Sequence, residues 1–273
     1  MNRSSSSRPA WIRVVALAVR AAVALAAAAG LVVCPAQAAE PLVVFAASSL
    51  TEAFGDVASV YARTPGGCPV SFNFGSSNTL RVQLEQGARA DVFATASQVE
   101  MERAVAGHVV VLPLRTFARN KLAVMVPRAS ELSGFLDLAK TGLKVVLAQK
   151  EVPAGAFALQ FLDAVDSGSS AGFRANVLAN VVSYEPNVKQ VVAKVQLGEA
   201  DAGVVYSTDA TPANSSTIRL LSIPDPFNVT TLLPAAITSG AAHPVAARKF
   251  VDFLISPAGQ ASLRKRGFLE PPR

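Results

Sequence analysis

Short apolar stretches of strand length alternate with stretches of helical periodicity along most of this chain. Residues 42–45 are apolar throughout, as a buried strand is, and Leu50, Phe54 and Val57 follow at helical spacing. Alternating strands and helices are typical of parallel-rich sheets flanked by helices. In such sheets ligands bind beyond the carboxyl ends of the strands, where helix N-termini converge. The pattern therefore predicts an α/β fold with a binding site at that edge of the sheet.

The same pattern places the individual elements. Strands are expected at residues 42–45, 70–74, 91–94, 122–126, 143–147 and 202–206, and helices at residues 50–61, 80–84, 99–106, 156–165, 188–197, 245–254 and 259–265. The chain beyond its N-terminal segment has roughly 235 residues, enough for the core of one large domain or of two lobes.

Two stretches are candidate crossovers between lobes, residues 117–122 and 220–226. The second contains Pro224 and Pro226, which favour an extended connection. If both are hinges, lobe 1 is discontinuous and comprises residues 39–119 and 226–273, and lobe 2 comprises residues 120–225.

Residues 1–38 have the features of a secretory signal peptide. Four arginines precede an apolar run at residues 21–33, and Ala36-Gln37-Ala38 supplies the small residues that a signal peptidase needs. The run is shorter than the roughly 20 residues of a permanent membrane helix. We expect cleavage after Ala38 and release of the protein into the periplasm.

Residues 31–34 loosely resemble a lipoprotein signal, in which Cys34 would carry a lipid anchor. The residue before the cysteine of such a signal is usually small, whereas Val33 is not. Cleavage after Ala38 is therefore the preferred interpretation, with lipidation of Cys34 as the alternative.

Removal of the signal peptide changes the charge balance. The whole chain has 25 Lys and Arg and 19 Asp and Glu. The first 38 residues hold four Arg and no acid, so the remaining charge is 21 − 19 = +2. The rest of the chain has no run of Lys or Arg and no basic-aromatic stripe, so we expect no nucleic-acid partner.

Cysteine and histidine are too sparse for a disulfide or a metal centre. Cys68 is the one cysteine outside the predicted signal, which excludes a disulfide within the mature chain. His108 and His243 have no metal-ligand spacing, so we expect no direct cation ligand and no cofactor.

Five short uncharged segments stand at predicted strand-to-helix turns or strand ends. They are residues 47–50 (ASSL), 75–78 (GSSN), 152–155 (VPAG), 186–188 (PNV) and 204–206 (VVY). Hydroxyls and backbone N–H groups at such places can hold an anion without a countercharge. The set predicts reversible binding of a small oxyanion.

Each segment also has a purely structural interpretation. Ser49 and Glu52 fit a capping box, and the polar residues after Gly75 can cap a helix. Pro153 and Pro186 suit the first turn of a helix, and a buried tyrosine such as Tyr206 is common in a core.

The whole chain after the signal resembles the periplasmic molybdate-binding proteins of ABC importers. The matching stretches are 44–51 (VFAASSLT), 75–80 (GSSNTL), 87–94 (GARADVFA), 152–155 (VPAG), 203–210 (GVVYSTDA), 253–260 (FLISPAGQ) and 267–268 (GF), in family order. The sequence departs from the family at residues 148–151 and 233–237, neither of which is a proposed ligand position.

The resemblance implies a two-lobed periplasmic-binding-protein fold that closes on molybdate or tungstate in the cleft between its lobes. It implies hydroxyl donors at Ser49 and Ser77 in lobe 1. It also implies backbone N–H donors at Ala154 and Val188 and a hydroxyl donor at Tyr206 in lobe 2. The implied partners are a membrane permease and its cytoplasmic ATPase, and we expect a monomer.

Neutral donors suit a desolvated dianion, because an unmatched buried charge is very costly. A rigid ring of donors also measures size, so it can reject the smaller sulfate ion. Arg81 and Lys189 lie near the predicted helix starts, and we expect both to be solvated.

Three alternatives remain open at this stage. The same fold can bind sulfate, thiosulfate or an organic anion. A secreted hydrolase is less favoured, because no Gly-x-Ser-x-Gly turn is present. A sensor that signals when loaded would need a docking partner other than a permease.

Overall fold

The structure is a computed structural model and describes residues 40–272. The predicted signal peptide, its cleavage after Ala38 and the lipidation alternative at Cys34 lie outside the described residues. Residues 40–272 belong to one compact unit.

The strands are numbered in chain order. They are β1 (Leu42–Ala47), β2 (Val70–Gly75), β3 (Val92–Ala94), β4 (Val110–Pro127), β5 (Val145–Ala148), β6 (Val181–Glu185), β7 (Ala202–Tyr206), β8 (Ile218–Ser222) and β9 (Thr230–Thr238).

The helices are numbered in the same way. They are α1 (Thr51–Tyr61), α2 (Ser77–Glu85), α3 (Gln98–Ala106), α4 (Pro153–Gly168), α5 (Phe173–Ala179), α6 (Val188–Gln196), α7 (Pro244–Ile255) and α8 (Pro257–Lys265). Three short 3-10 turns cover Ser48–Leu50, Phe135–Ala139 and Ser207–Asp209. Within the described range, no helix is long and apolar enough to cross a membrane.

Hydrogen bonds connect the strands in the order β2-β1-β3-β9-β4-β7-β5-β6, with β8 attached to β4. One end of this order holds the parallel strands β1, β2 and β3, and the other holds the parallel strands β5, β6 and β7. Strands β4, β8 and β9 join these groups through antiparallel pairs. The predicted α/β fold is confirmed, with a core of parallel strands in each half.

Strand β4 belongs to both halves. It pairs with β9 as far as Lys121 and with β7 from Leu122 onward. The chain returns to the first half between the end of β8 and the start of β9, residues 223–229. The structure thus has two sheet regions linked by two short stretches of backbone.

Apolar periodicity accounts for how the helices pack. Helix α6 buries Val188, Val191, Val192 and Val195 on one face, which lies against β5 and β7. In the first half, the ring of Phe54 on α1 contacts Phe117 and Phe250, with centroids 5.6 and 6.0 Å apart. These ring contacts pack α1 against β4 and α7.

The sequence prediction missed several elements: the first two thirds of β4, α5, β6, β8 and β9. Strand β4 carries polar residues such as Arg115 and Thr116, and its pairing with β9 has register shifts on both sides of these residues. An irregular, partly exposed strand has no clear period of two, so the alternation that reveals other strands is absent.

Candidate functional site

Strand ends and helix starts from both halves converge on one small cavity. Strands β1, β2 and β7 end beside it, and helices α2, α4 and α6 begin there. All five predicted site residues line it: Ser49, Ser77, Ala154, Val188 and Tyr206. The rest of its lining is Ala47, Ser48, Gly75, Ser76, Ala96, Val152 and Pro153.

The cavity is small and carries no charged side chain among the described residues that line it. The centre of a water-sized sphere can occupy only about 10 Å³ of it. That is about the space of one water molecule.

Ser49 has a buried hydroxyl with no partner. It lies in the 3-10 turn Ser48–Leu50, and α1 begins only at Thr51. The predicted capping box is wrong, because this inserted turn moves Ser49 away from the N-cap and Glu52 bonds to Lys189 instead. Within residues 40–272, Ser49 Oγ therefore makes no hydrogen bond.

Ser77 is the first residue of α2 and is buried. The backbone N–H of Ala96 donates to Ser77 Oγ at 3.1 Å. Because this bond occupies an acceptor position, the hydroxyl proton of Ser77 remains available for a ligand. The preceding Ser76 is bonded to Thr79 through their hydroxyls, 2.7 Å apart.

Ala154 and Val188 offer backbone N–H groups in the first turns of α4 and α6. Such groups have no intrahelical acceptor and carry a partial positive charge. Pro153 opens α4, as predicted. Pro186 does not open α6, because Asn187 is the N-cap and its side chain accepts from Gln190 N at 3.1 Å.

Tyr206 ends β7 and is only 2% exposed. Its hydroxyl oxygen is buried and has no partner within the described range. Burial, reinforced by the negative charge of Asp209, raises the pKa of Tyr206 above its ordinary value. Tyr206 is therefore a neutral donor at physiological pH.

A charged cluster lies directly behind these donors. Lys189 Nζ is 2.7 Å from Glu52 Oε2 and 3.0 Å from Asp209 Oδ1. The expectation that Lys189 is solvated is wrong, and Arg81 is likewise paired, with its Nε 3.0 Å from Glu100 Oε2. The sequence did hold a signal for this charged cluster. Lys189 directly follows Val188, and Glu52 comes three residues after Ser49.

Burial raises the pKa of Asp209, and the nearby ammonium of Lys189 only partly offsets this effect. Burial disfavours the charge on Lys189, but the attraction of Asp209 and Glu52 outweighs it, so the pKa of Lys189 is raised. The ammonium therefore stays charged while it fills the space between the two carboxylates.

The arrangement suits anion capture. The hydroxyls of Ser49, Ser77 and Tyr206 can donate to one dianion, and so can the backbone N–H groups at the starts of α4 and α6. Such donors surround the anion without neutralising its charge, as in other anion sites built from backbone groups. Among residues 40–272, no group of three or more His, Cys, Asp or Glu is arranged to hold a metal ion. Neither His108 nor His243 lines the cavity.

Comparison with known proteins places the chain in a family. The sequence profile described as bacterial extracellular solute-binding protein matches residues 42–269. The molybdate-binding protein ModA of Mycobacterium tuberculosis is 32% identical over 239 residues, which cover 87% of each chain.

Two solved structures share the fold. The substrate binding domain of a putative molybdenum ABC transporter from Clostridium difficile has a TM-score of 0.64 and 28% identity, covering 85% of this chain and 99% of that one. The sulfate-binding protein SubI from Mycobacterium tuberculosis has a TM-score of 0.76 at 15% identity, covering 84% and 86%. At that identity the second likeness concerns the fold alone.

The profile spans nearly all of the described residues, and the relative is similar over the same length. The chain belongs to the family of bacterial extracellular solute-binding proteins.

Proposed function

We propose that this protein captures molybdate, and also tungstate, outside the cytoplasmic membrane and delivers it to an ABC importer. The observation that carries the proposal is the convergence of Ser49, Ser77, Ala154, Val188 and Tyr206 on one small cavity, whose lining among residues 40–272 holds no charged side chain. These neutral groups hold the oxyanion. The relatives named molybdate-binding protein support this ligand.

The donor chemistry supports a dianion with four oxygens. Ser49 and Tyr206 have buried hydroxyls that find no partner among residues 40–272, which is costly unless a ligand accepts their hydrogen bonds. Backbone N–H groups of Ala154 and Val188 add donors whose positions are set by helix starts. Molybdate and tungstate are nearly equal in size, so the ring serves both.

The two halves act as lobes in this proposal. Residues 39–119 with 226–273 form lobe 1, and residues 120–225 form lobe 2. Strand β4 and residues 223–229 link the two sheet regions, which supports hinges close to these boundaries. Closing about these hinges brings the donors of both lobes onto the anion.

The route of the protein follows from its role. The signal peptide predicted at residues 1–38 directs export to the periplasm, where the loaded protein acts as a monomer. It docks on a membrane permease that is driven by a cytoplasmic ATPase. The Clostridium difficile structure, described as part of a molybdenum ABC transporter, supports this type of partner.

Isothermal titration of the mature protein with molybdate, tungstate and sulfate tests the proposal. We expect tight one-to-one binding of the first two and none of sulfate, because sulfate is smaller and makes longer contacts. Tight sulfate binding would leave the fold in place and overturn the ligand. An absence of heat and of thermal shift with all three would overturn oxyanion capture itself.

A further inference from the structure

Lys189 reaches across the interface between the two halves. It is the second residue of α6, and its Nζ is 2.7 Å from Glu52 Oε2 on α1. The same ammonium is 3.0 Å from Asp209 Oδ1, in the turn after β7. The Lys189 side chain is 24% exposed and that of Asp209 is fully buried, so the contacts lie mostly away from solvent.

Each member of this cluster belongs to a segment that holds a proposed donor. Glu52 follows Ser49 by one helical turn, and Lys189 is the neighbour of Val188. Asp209 Oδ2 accepts the backbone N–H of Tyr206 at 3.0 Å. A change in the cluster therefore acts on three donor segments at once.

The two contacts of Lys189 differ in what an opening motion does to them. Lys189 and Asp209 both lie in the second half, so they stay together when the halves separate. Glu52 belongs to the first half, so its bond to Lys189 breaks. Glu52 is half-buried and gains water when the cleft opens, so no isolated buried charge results.

We propose that Lys189 is a positioning residue whose ion pair with Glu52 holds the two lobes closed over the bound anion. The inference rests on the proposed function for the identity of the anion. The pair forms in the closed protein, with or without the anion, and is lost in the open one, so it slows release.

Glu52→Gln is the discriminating variant, because it keeps the side-chain shape and removes the charge. Loss of the closing ion pair predicts faster dissociation of molybdate, by roughly 3- to 10-fold. If Glu52 acted only as a negative charge near the anion, the same variant would bind more tightly. The two explanations therefore predict opposite signs.

Asp56→Asn is the matched control on the same helix. Asp56 is one turn beyond Glu52 and pairs with Arg266, 2.6 Å from Nε to Oδ2, within the first half. The Asp56→Asn substitution removes one negative charge from α1, as Glu52→Gln does, but leaves every contact between the two halves in place. We expect its dissociation rate to equal that of the wild type.

Stopped-flow kinetics with molybdate give both rates for the wild type and for Glu52→Gln, Lys189→Met and Asp56→Asn. Glu52→Gln and Lys189→Met combined should show less than the sum of their separate effects, as residues in contact do. An unchanged or slower release from Glu52→Gln would overturn the proposal.

Small-angle scattering on the ligand-free proteins separates this inference from the proposed function. We expect a larger radius of gyration for Glu52→Gln than for the wild type, and no change for Asp56→Asn. If the wild type binds no oxyanion, the proposed function fails, and the scattering comparison still decides whether the pair holds the halves together. Equal radii for all three proteins would refute the ion pair's role.

Discussion

The backbone N–H of Ala96 donates a hydrogen bond to Ser77 Oγ, with 3.1 Å between the two atoms. This bond ties the residues after β3 to the first residue of α2. It also directs the Ser77 proton away from Ala96, because a hydroxyl that accepts from one side donates towards another. Ser49, on the same cavity, has no such internal bond.

This difference separates two serine variants. We expect Ser49→Ala and Ser77→Ala each to weaken molybdate binding by roughly 1.5–3 kcal/mol, the loss typical of a hydrogen bond to a charged group. Only Ser77→Ala should also lower the free energy of unfolding, by about 1 kcal/mol, because it leaves the Ala96 N–H without an acceptor. Titration calorimetry and urea unfolding measure the two quantities.

Ser59→Ala is the control for both serines. Its hydroxyl bonds to Gly55 O on the outer face of α1, away from the cavity. Binding and stability should stay close to the wild-type values. Wild-type affinity in both Ser49→Ala and Ser77→Ala would contradict the assignment of these residues to the anion.

Tyr206→Phe should change binding and stability in opposite directions. The variant removes a donor to the ligand, so we expect molybdate affinity to fall by roughly 1.5–3 kcal/mol. It also removes a buried hydroxyl that has no partner, so the ligand-free protein should be as stable as the wild type or up to about 1 kcal/mol more stable. Thermal unfolding with and without molybdate shows both effects.

Tyr61→Phe is the matched control for Tyr206→Phe. Tyr61 is equally buried, and its hydroxyl donates to Ala246 O at 3.4 Å, far along α1 from the cavity. Removal of the Tyr61 hydroxyl should leave the affinity for molybdate unchanged. A Tyr206→Phe protein that is markedly less stable without ligand would contradict the view that this hydroxyl serves only the ligand.

The first turn of α4 depends on a glycine. A Cβ at Gly155 would lie 2.1 Å from Gln149 O and 2.4 Å from Ala148 O, so no side chain fits there. Gly155→Ala should displace the helix start, weaken molybdate binding through Ala154 and cost about 1–3 kcal/mol of stability. Calorimetry and urea unfolding measure these losses.

Gly55→Ala gives the contrasting result. Gly55 lies in the interior of α1, and a Cβ there meets nothing within 4 Å. The replacement should stabilise the protein by about 0.5–1 kcal/mol, because alanine favours the helix. Gly155→Ala with the stability and affinity of the wild type would show that the close approach at α4 is not required.

Elements whose buried residues follow a simple periodic pattern could be predicted from the sequence. Strand β1 is apolar throughout because both its faces are covered, and α6 shows its buried face in the spacing of its valines. The first two thirds of β4 and all of β9 were missed because their partners come from distant parts of the chain, and long-range pairing leaves no local signal. The extension of β4 across both halves is a tertiary property.

The candidate site likewise has residues that could be predicted from the sequence and residues that could not. The five residues proposed as donors line one cavity, and they were predicted because turn residues and family resemblance mark them locally. The failed capping box shows the limit: Ser49 and Glu52 have the right spacing, but a 3-10 turn shifts the helix start. The Glu52–Lys189–Asp209 cluster was missed because its members meet only after folding.

The ion pair between Asp56 and Arg266 accounts for part of the stability that we expect the protein to lose at acidic pH. The hydrogen bond from Arg266 lowers the pKa of Asp56, and burial opposes this only in part. A lowered pKa gives stability that is present above the unfolded value of about 3.9 and is lost as the pH falls through the folded value. The side chains of Arg266 and Asp56 are 26% and 32% exposed, so water screens the pair and we expect no more than about 1 kcal/mol.

Arg266→Met should therefore lower stability at neutral pH, and its difference from the wild type should shrink as the pH falls below about 4. Urea unfolding between neutral and acidic pH measures this. Arg264→Met, which breaks an exposed pair with Glu270, is the control and should show a smaller difference. A difference for Arg266→Met that is independent of pH would contradict the assignment.

The cavity should discriminate against phosphate through the protons that phosphate carries. At neutral pH every phosphate ion keeps at least one O–H, which needs an acceptor when it is buried. Ser77 Oγ already accepts from Ala96, and no carboxylate is among the described residues that line the cavity. The hydroxyls of Ser49 and Tyr206 can accept the phosphate O–H only by turning their own buried protons away from the anion, which leaves those protons without an acceptor. Molybdate and tungstate are fully deprotonated at this pH and demand donors alone.

We therefore expect phosphate to bind at least about tenfold more weakly than molybdate, since a buried donor left without an acceptor costs about 1–3 kcal/mol. Competition calorimetry with excess phosphate at neutral pH measures the ratio. Arsenate, which also keeps a proton, should behave like phosphate, and this comparison separates the proton from the size of the ion. Displacement of molybdate by phosphate at equal concentration would show that a hydroxyl of the cavity accepts the phosphate proton without this cost.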